Sequence, residues 1–226
     1  MWVKVGSANE KDSEAGISHV LEHMLFKGTT TRGLGEIAWQ VESVGGELNA
    51  FTSHDYTVFY IVLASRFLNT GLEVLADAIQ NSSLDADELS KEIEVIAEEI
   101  RRSQDIPTQR LSELVFRTSY RVHPYGRPII GSEETVRSLS RQDVLEYYRR
   151  WYVPRNMALV IVGDFDPASL MPEVAKAFED FQDRPVQALT ISPEPSQQEA
   201  RIEVLAEEVN ETKIELAFHI SDVFSE

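Results

Sequence analysis

The sequence predicts an α+β fold, and three observations predict it. Apolar residues recur at helical spacing in several segments, as with Ile17, Val20, Leu21, Met24 and Leu25 on one stripe. A stretch from Glu47 to Leu63 is rich in β-branched and aromatic residues, which suits strands or a hairpin. A continuous apolar run, Met157 to Val162, is bounded by Pro154 and Gly163 and has the length of a fully buried strand.

Taken in order, Trp2-Val3-Lys4-Val5 alternates like a strand that begins at residue two, so the chain is expected to be trimmed from a longer one. A helix follows from Gly16 and closes at Gly28, and a second spans about Leu34 to Val44, stopped by Gly45-Gly46. Beyond the hairpin come a helix from Leu68 to Gln80 and a longer one from Asp85 to about Ser103. Asp85 is its N-cap and Glu88 completes a capping box, and these two helices are expected to pack together. Pro107 opens a helix to Ser119, whereas two prolines and two glycines make Tyr120 to Gly131 irregular. Ser140 with Asp143 caps the next helix, and Pro167 starts another at a first-turn position. From Arg184 to Ala200 the composition turns to Pro, Ser and Gln, a loop or linker ahead of two strand-like segments, Arg201 to Leu205 and Lys213 to Ile220.

The 226 residues, 42% of them hydrophobic, are enough to bury a substantial core in one domain or lobe. A net charge of −17 argues against binding nucleic acid through its phosphates and against an anionic membrane surface. The absence of cysteine removes disulfides, thiolate metal sites and cysteine nucleophiles. No run approaches the roughly 18 apolar residues of a membrane span, and the first residues lack the pattern of a signal peptide, which leaves the compartment open.

His19-Val20-Leu21-Glu22-His23 is the most informative stretch. Residues four apart on a helix differ by about 40° around its axis, so both imidazoles can face one ion. Glu22 shares that face, where a carboxylate can take a proton from an activated water. The order is HxxEH, the inverse of HExxH, and it arises by chance roughly once in a hundred chains of this composition. A catalytic zinc needs a third protein ligand and an open position for water. Glu92 and Glu99, seven residues apart on the long helix, share a face, whereas Glu94 and Glu98 point elsewhere. Each glutamate taken alone reads first as part of a solvated acidic helix surface.

Taken together, these residues resemble the M16 zinc metallopeptidases, the inverzincins that include pitrilysin, insulin-degrading enzyme and the mitochondrial processing peptidases. In that family a ligand glutamate follows the motif by about 76 residues, and 76 residues after His23 stands Glu99. Further similar stretches are Gly16-Ile17-Ser18, Phe26-Lys27-Gly28-Thr29, Glu42-Ser43-Val44-Gly45-Gly46, Leu48-Asn49-Ala50-Phe51-Thr52-Ser53, His123-Pro124-Tyr125-Gly126-Arg127-Pro128 and Pro154-Arg155-Asn156-Met157. The resemblance covers nearly the whole chain.

The resemblance implies a mixed, mainly antiparallel β-sheet with helices packed on it, residues 1–226 forming one metal-bearing lobe. It implies one zinc ion per chain held by His19, His23 and Glu99, with Glu22 as general base and Glu92 supporting the site. Asn49, Ala50, Phe51 and Thr52 match the family's substrate-binding strand, on which an unfolded peptide adds as a further strand. A second lobe, absent from this chain, is the implied partner. Without it the chain is expected to be inactive or weakly active, and the face it leaves bare is a route to self-association. A non-catalytic scaffold subunit and a structural zinc module are the alternative readings. The remaining histidines, His54, His123 and His219, have no partner at ligand spacing and read as structural or surface residues, while Trp151-Tyr152 reads as core.

Overall fold

A β-hairpin organises the chain. Its strands β2 (Glu47–Thr52) and β3 (Thr57–Val62) pair antiparallel from Glu47 opposite Val62 to Thr52 opposite Thr57. A short strand, β1 (Trp2–Val3), lies beyond β3, and β4 (Met157–Ala158) pairs with β1, giving the order β2-β3-β1-β4. The structure is a computed structural model and describes residues 1–186 and 190–220. Every strand pairing among the described residues is antiparallel, and β2 is an edge.

Eight helices complete the described residues: α1 (Ile17–Leu25), α2 (Glu36–Glu42), α3 (Leu68–Asn81), α4 (Ala86–Gln104), α5 (Pro107–Ser119), α6 (Glu133–Ser138), α7 (Arg141–Trp151) and α8 (Pro167–Ala177). Helix α1 is central. Its stripe of Ile17, Val20, Leu21, Met24 and Leu25 is buried with Val3, Phe59, Ile96 and Tyr147 in one core. A second, smaller cluster of Ile37, Val41, Val74 and Ala78 joins α2 to α3. Trp151 and Tyr152 are buried, as the sequence predicts.

The N-terminus of α1 is held from a distance. Its N-cap, Gly16, has a φ of 96° and offers no side chain, so the buried Glu10 takes over. Glu10 Oε2 accepts from Gly16 N and Oε1 from Ser18 N, both at 2.9 Å, which satisfies donors that a helix start leaves open. Gly16 and Gly131 pass in backbone contact. A Cβ on Gly131, whose φ is 79°, would lie 2.4 Å from Ala15 O, and one on Gly16 would lie 2.6 Å from Ile130 O. On the second turn-facing side, Ser18 Oγ and Tyr147 Oη share a buried hydrogen bond of 2.7 Å, tying α1 to α7.

Several expectations need correction. Asp85 caps α4 by accepting from Asp87 N and Glu88 N, but Glu88 pairs with Lys91 Nζ at 2.6 Å instead of reaching back, so the reciprocal half of the capping box is not made. Ser140 and Asp143 do make a full box at α7. Helices α3 and α4, adjacent in sequence, pack mainly on different neighbours: α3 on α2, α8 and β3, and α4 on α1, α5 and α6. The run Met157 to Val162 is strand only at Met157–Ala158, and Val160 and Val162 are exposed. Segments 201–205 and 213–220 form no strands, and Ile202, Val204, Ile214, Leu216, Phe218 and Ile220 are exposed. Strand pattern without an adjacent strand leaves backbone groups to water. The described part of 184–200 is irregular, as expected of a linker, and 187–189 lie outside the described residues.

Candidate metal centre

The site lies where α1 meets α4. The apolar stripe of α1 faces the core, so the flank carrying His19, Glu22 and His23 is left half-buried toward α4 and β2. On α4, Leu89, Glu92, Ile96 and Ile100 turn inward, and Glu99 stands exposed at the rim. His23 Nε2 lies 3.6 Å and His19 Nε2 3.9 Å from Glu99 Oε2. One ligand atom from each of these three residues lies within 4.8 Å of the others. The two histidine–Glu99 gaps are too wide for good hydrogen bonds and only a few tenths of an ångström beyond the roughly 3.3 Å edge of a tetrahedron with bonds of about 2.0–2.1 Å. The donor set, two imidazoles and a carboxylate, therefore fits zinc with a fourth position open to water.

Burial, with the nearby His23 adding to it, pushes the His19 imidazole down to about 3, so the ring is neutral at pH 7, the form that can ligate a metal. Glu92 does not join the three. Its Oε2 lies 3.1 Å from His23 Nδ1 and its Oε1 2.6 Å from Lys27 Nζ. Burial acts to raise the Glu92 carboxyl, but the Lys27 and His23 hydrogen bonds outweigh it and hold Glu92 below the usual carboxylate range.

Glu22 sits beside the cluster with Thr52 Oγ1 donating to its Oε2 at 2.6 Å. Burial raises the Glu22 carboxyl above its ordinary value, with the Thr52 hydrogen bond and His23 opposing and the Glu99 charge assisting. A carboxyl raised in this way holds a proton more readily than a free one, which suits a group that must accept and return one. Glu22, His19 and Glu99 line a cleft of about 1080 Å³. Its far wall, which sequence reasoning did not anticipate, comes from α5 and the 126–130 loop, with Glu113, Phe116 and Ile130 facing the site.

Of the predicted strand residues, Phe51 and Thr52 line this cleft, whereas Asn49 and Ala50 do not. Phe51 and Asn49 are exposed, and the Ala50 amide donates to Asn49 Oδ1 at 2.8 Å. Glu94 and Glu98 are paired with Arg137 and Arg101. The other histidines are structural neighbours of aromatic rings: His54 stacks on Tyr125 and bonds Ser7, His123 packs edge-on against Tyr125, and His219 stacks on Tyr120. The pairings of Lys27 with Glu92 and of Thr52 with Glu22 carry no local sequence signal because they cross long separations, and Glu10, only six to eight residues from its partners, sits outside any capping spacing.

The family description "Insulinase (Peptidase family M16)" matches residues 1–133, the part that contains every one of these site residues. The chain belongs to peptidase family M16. A second description, "Peptidase M16 inactive domain", matches residues 138–225 of this M16 chain. Among relatives, the chain is 37% identical over 179 residues to a Rickettsia felis protein named "Uncharacterized zinc protease", covering 79% of this chain and 43% of that one. It is 37% identical over 182 residues to another uncharacterized zinc protease, from Bacillus subtilis, covering 80% and 44%. The fold is similar to that of a protease from Helicobacter pylori, with a TM-score of 0.84, 32% identity, and coverage of 88% of this chain and 49% of the other. The M16 chain thus spans under half the length of the curated relatives it matches. No helix among its described residues is long and apolar enough to cross a membrane.

Proposed function

We propose that this chain is the metal-bearing lobe, residues 1–226, of a zinc endopeptidase that hydrolyses unfolded peptides. The observation that carries the reading is the convergence of His19, His23 and Glu99, with ligand atoms within 4.8 Å of one another, beside a half-buried Glu22 at one wall of a peptide-sized cleft. His19, His23 and Glu99 would hold one zinc ion per chain. A zinc ion supplies Lewis-acid polarisation of the scissile carbonyl and lowers the pKa of water toward neutrality.

Glu22 takes the proton from the attacking water and later delivers it to the leaving amine, acting first as base and then as acid. Thr52 holds the Glu22 carboxylate through Oε2, which leaves Oε1 to receive the proton. The peptide adds as a strand to the free edge of β2, along Asn49, Ala50, Phe51 and Thr52, so backbone pairing supplies affinity with broad tolerance of sequence. To reach the Ala50 amide, the incoming strand displaces the Asn49 carboxamide that occupies it. Phe51 offers an apolar contact at the mouth of the cleft. A second M16 lobe closes over the bound peptide, and the chain alone is inactive or weakly active.

Zinc stoichiometry by elemental mass spectrometry tests the reading. About one zinc per chain is expected, falling sharply in Glu99→Gln and retained in Glu22→Gln, which loses turnover in the two-lobed enzyme. Folded protein that takes up no zinc overturns it.

A further inference from the structure

We propose that Lys27 is a positioning residue for the metal centre, acting through Glu92 to fix which nitrogen of His23 is free to ligate. The inference rests on the zinc reading above. Lys27 stands just beyond α1, where its amide donates to Met24 O at 3.1 Å. The turn after it is fastened to the α3–α4 connection: Gly28 O accepts from Ser83 N at 3.1 Å and from Ser83 Oγ at 3.2 Å, and Thr29 bridges Ser82. That fastening brings the Lys27 ammonium to Glu92 on α4.

The two oxygens of Glu92 are divided between two jobs. Oε1 receives Lys27 Nζ at 2.6 Å, and Oε2 faces His23 Nδ1 at 3.1 Å. A carboxylate beside Nδ1 places the ring proton there, which leaves Nε2, the atom 3.6 Å from Glu99, with a free lone pair. Glu92 can hold that orientation only while its other oxygen is occupied. Released from Lys27, the carboxylate is free to rotate away from Nδ1 or to turn toward an ion itself, and either movement frees the ring to flip. The side chain of Glu92 is 9% exposed and that of Lys27 35%, so water competes weakly for the carboxylate.

Charge alone predicts the opposite sign. Lys27 is a cation near the place of a dication, so removing it should tighten metal binding if its role were purely electrostatic. Positioning requires that removal weaken binding, by about 10-fold or more on the scale of outer partners of ligating histidines.

The test is the zinc dissociation constant, measured by competition with a chelating indicator. Lys27→Met is expected to weaken zinc binding about 10-fold, and Lys27→Arg, which keeps a cationic donor, to restore most of it. Glu92→Gln weakens binding too, and adding Lys27→Met to it produces no further loss, because both act on one oxygen pair. Unchanged or tighter binding in Lys27→Met, or losses that add, overturns the inference. Should Lys27→Met not fold, Lys27→Gln takes its place with the same expectation. Nitrogen NMR of the zinc-free protein with neutral rings supplies a readout without metal: wild type holds the His23 proton on Nδ1, and the Lys27 variant mixes both tautomers. An identical tautomer in both proteins overturns the inference even if zinc binds nowhere, whereas wild-type protein that binds no zinc overturns the metal reading.

Discussion

Thr52 Oγ1 donates to Glu22 Oε2 at 2.6 Å, joining the edge strand β2 to the motif helix α1. A hydrogen bond to a charged acceptor is worth about 1.5–3 kcal/mol. Thr52→Val should therefore lower kcat of the two-lobed enzyme by about 10-fold or more, with KM and zinc content little changed, whereas Thr52→Ser should keep most of the rate. Steady-state kinetics with a fluorogenic peptide check the split.

Stability should fall as pH rises through the range in which Glu10 titrates. Burial pushes the Glu10 carboxyl from its ordinary 4.5 up to about 7, against the opposing hydrogen bonds from Gly16 and Ser18 and the charge of Arg127. The folded state keeps its proton up to about pH 7, while the unfolded chain releases it near 4.5. Unfolding free energy consequently declines through that window, by an amount on the order of 3 kcal/mol, and this contribution is flat on either side. Urea midpoints at several pH values should show the decline in wild type and its loss in Glu10→Gln.

If the peptide adds along β2, Asn49→Ala and Phe51→Ala should each weaken peptide affinity severalfold and leave zinc content unchanged. Val62→Ala, an exposed change on the neighbouring strand, should leave affinity as it is. Fluorescence anisotropy of a labelled unfolded peptide on a Glu22→Gln background separates binding from cleavage. Equal effects at all three positions would remove the edge strand from the binding surface.

Gly131→Ala should destabilise the fold by about 2–4 kcal/mol, since the new methyl meets Ala15 O at 2.4 Å in a residue whose φ is 79°. The contact lies where the chain enters α1, so the loss is read as a lower urea midpoint with unaltered zinc stoichiometry in the folded fraction.

The helices were legible because their signals are local. Pro107 and Pro167 stand at first-turn positions, Asp85 and Ser140 cap the helices they precede, and the stripe from Ile17 to Leu25 is buried as its period requires. The candidate ligand group was legible for the same reason, since helical period alone puts His19 beside His23 and Glu92 in line with Glu99. Strand pattern is a weaker guide. Val160 and Ile214 belong to runs with good strand composition, but composition says nothing of whether a neighbour is there to pair with. In β4 the ladder ends after two residues because its partner β1 is only two residues long. Lys27, Thr52 and Glu10 were illegible in their roles, because each depends on a side chain meeting an atom that only the folded arrangement brings near.

His23 and Glu99 stand 76 residues apart in a chain that has no cysteine. An ion bridging them therefore acts as a removable cross-link between α1 and α4, closing a loop long enough that tying it in the unfolded chain is worth about 4–5 kcal/mol by loop-closure entropy. On the proposed zinc reading, metal supply would set heat tolerance and resistance to digestion as well as chemistry. A chelator would then be, for this chain, a mild denaturant.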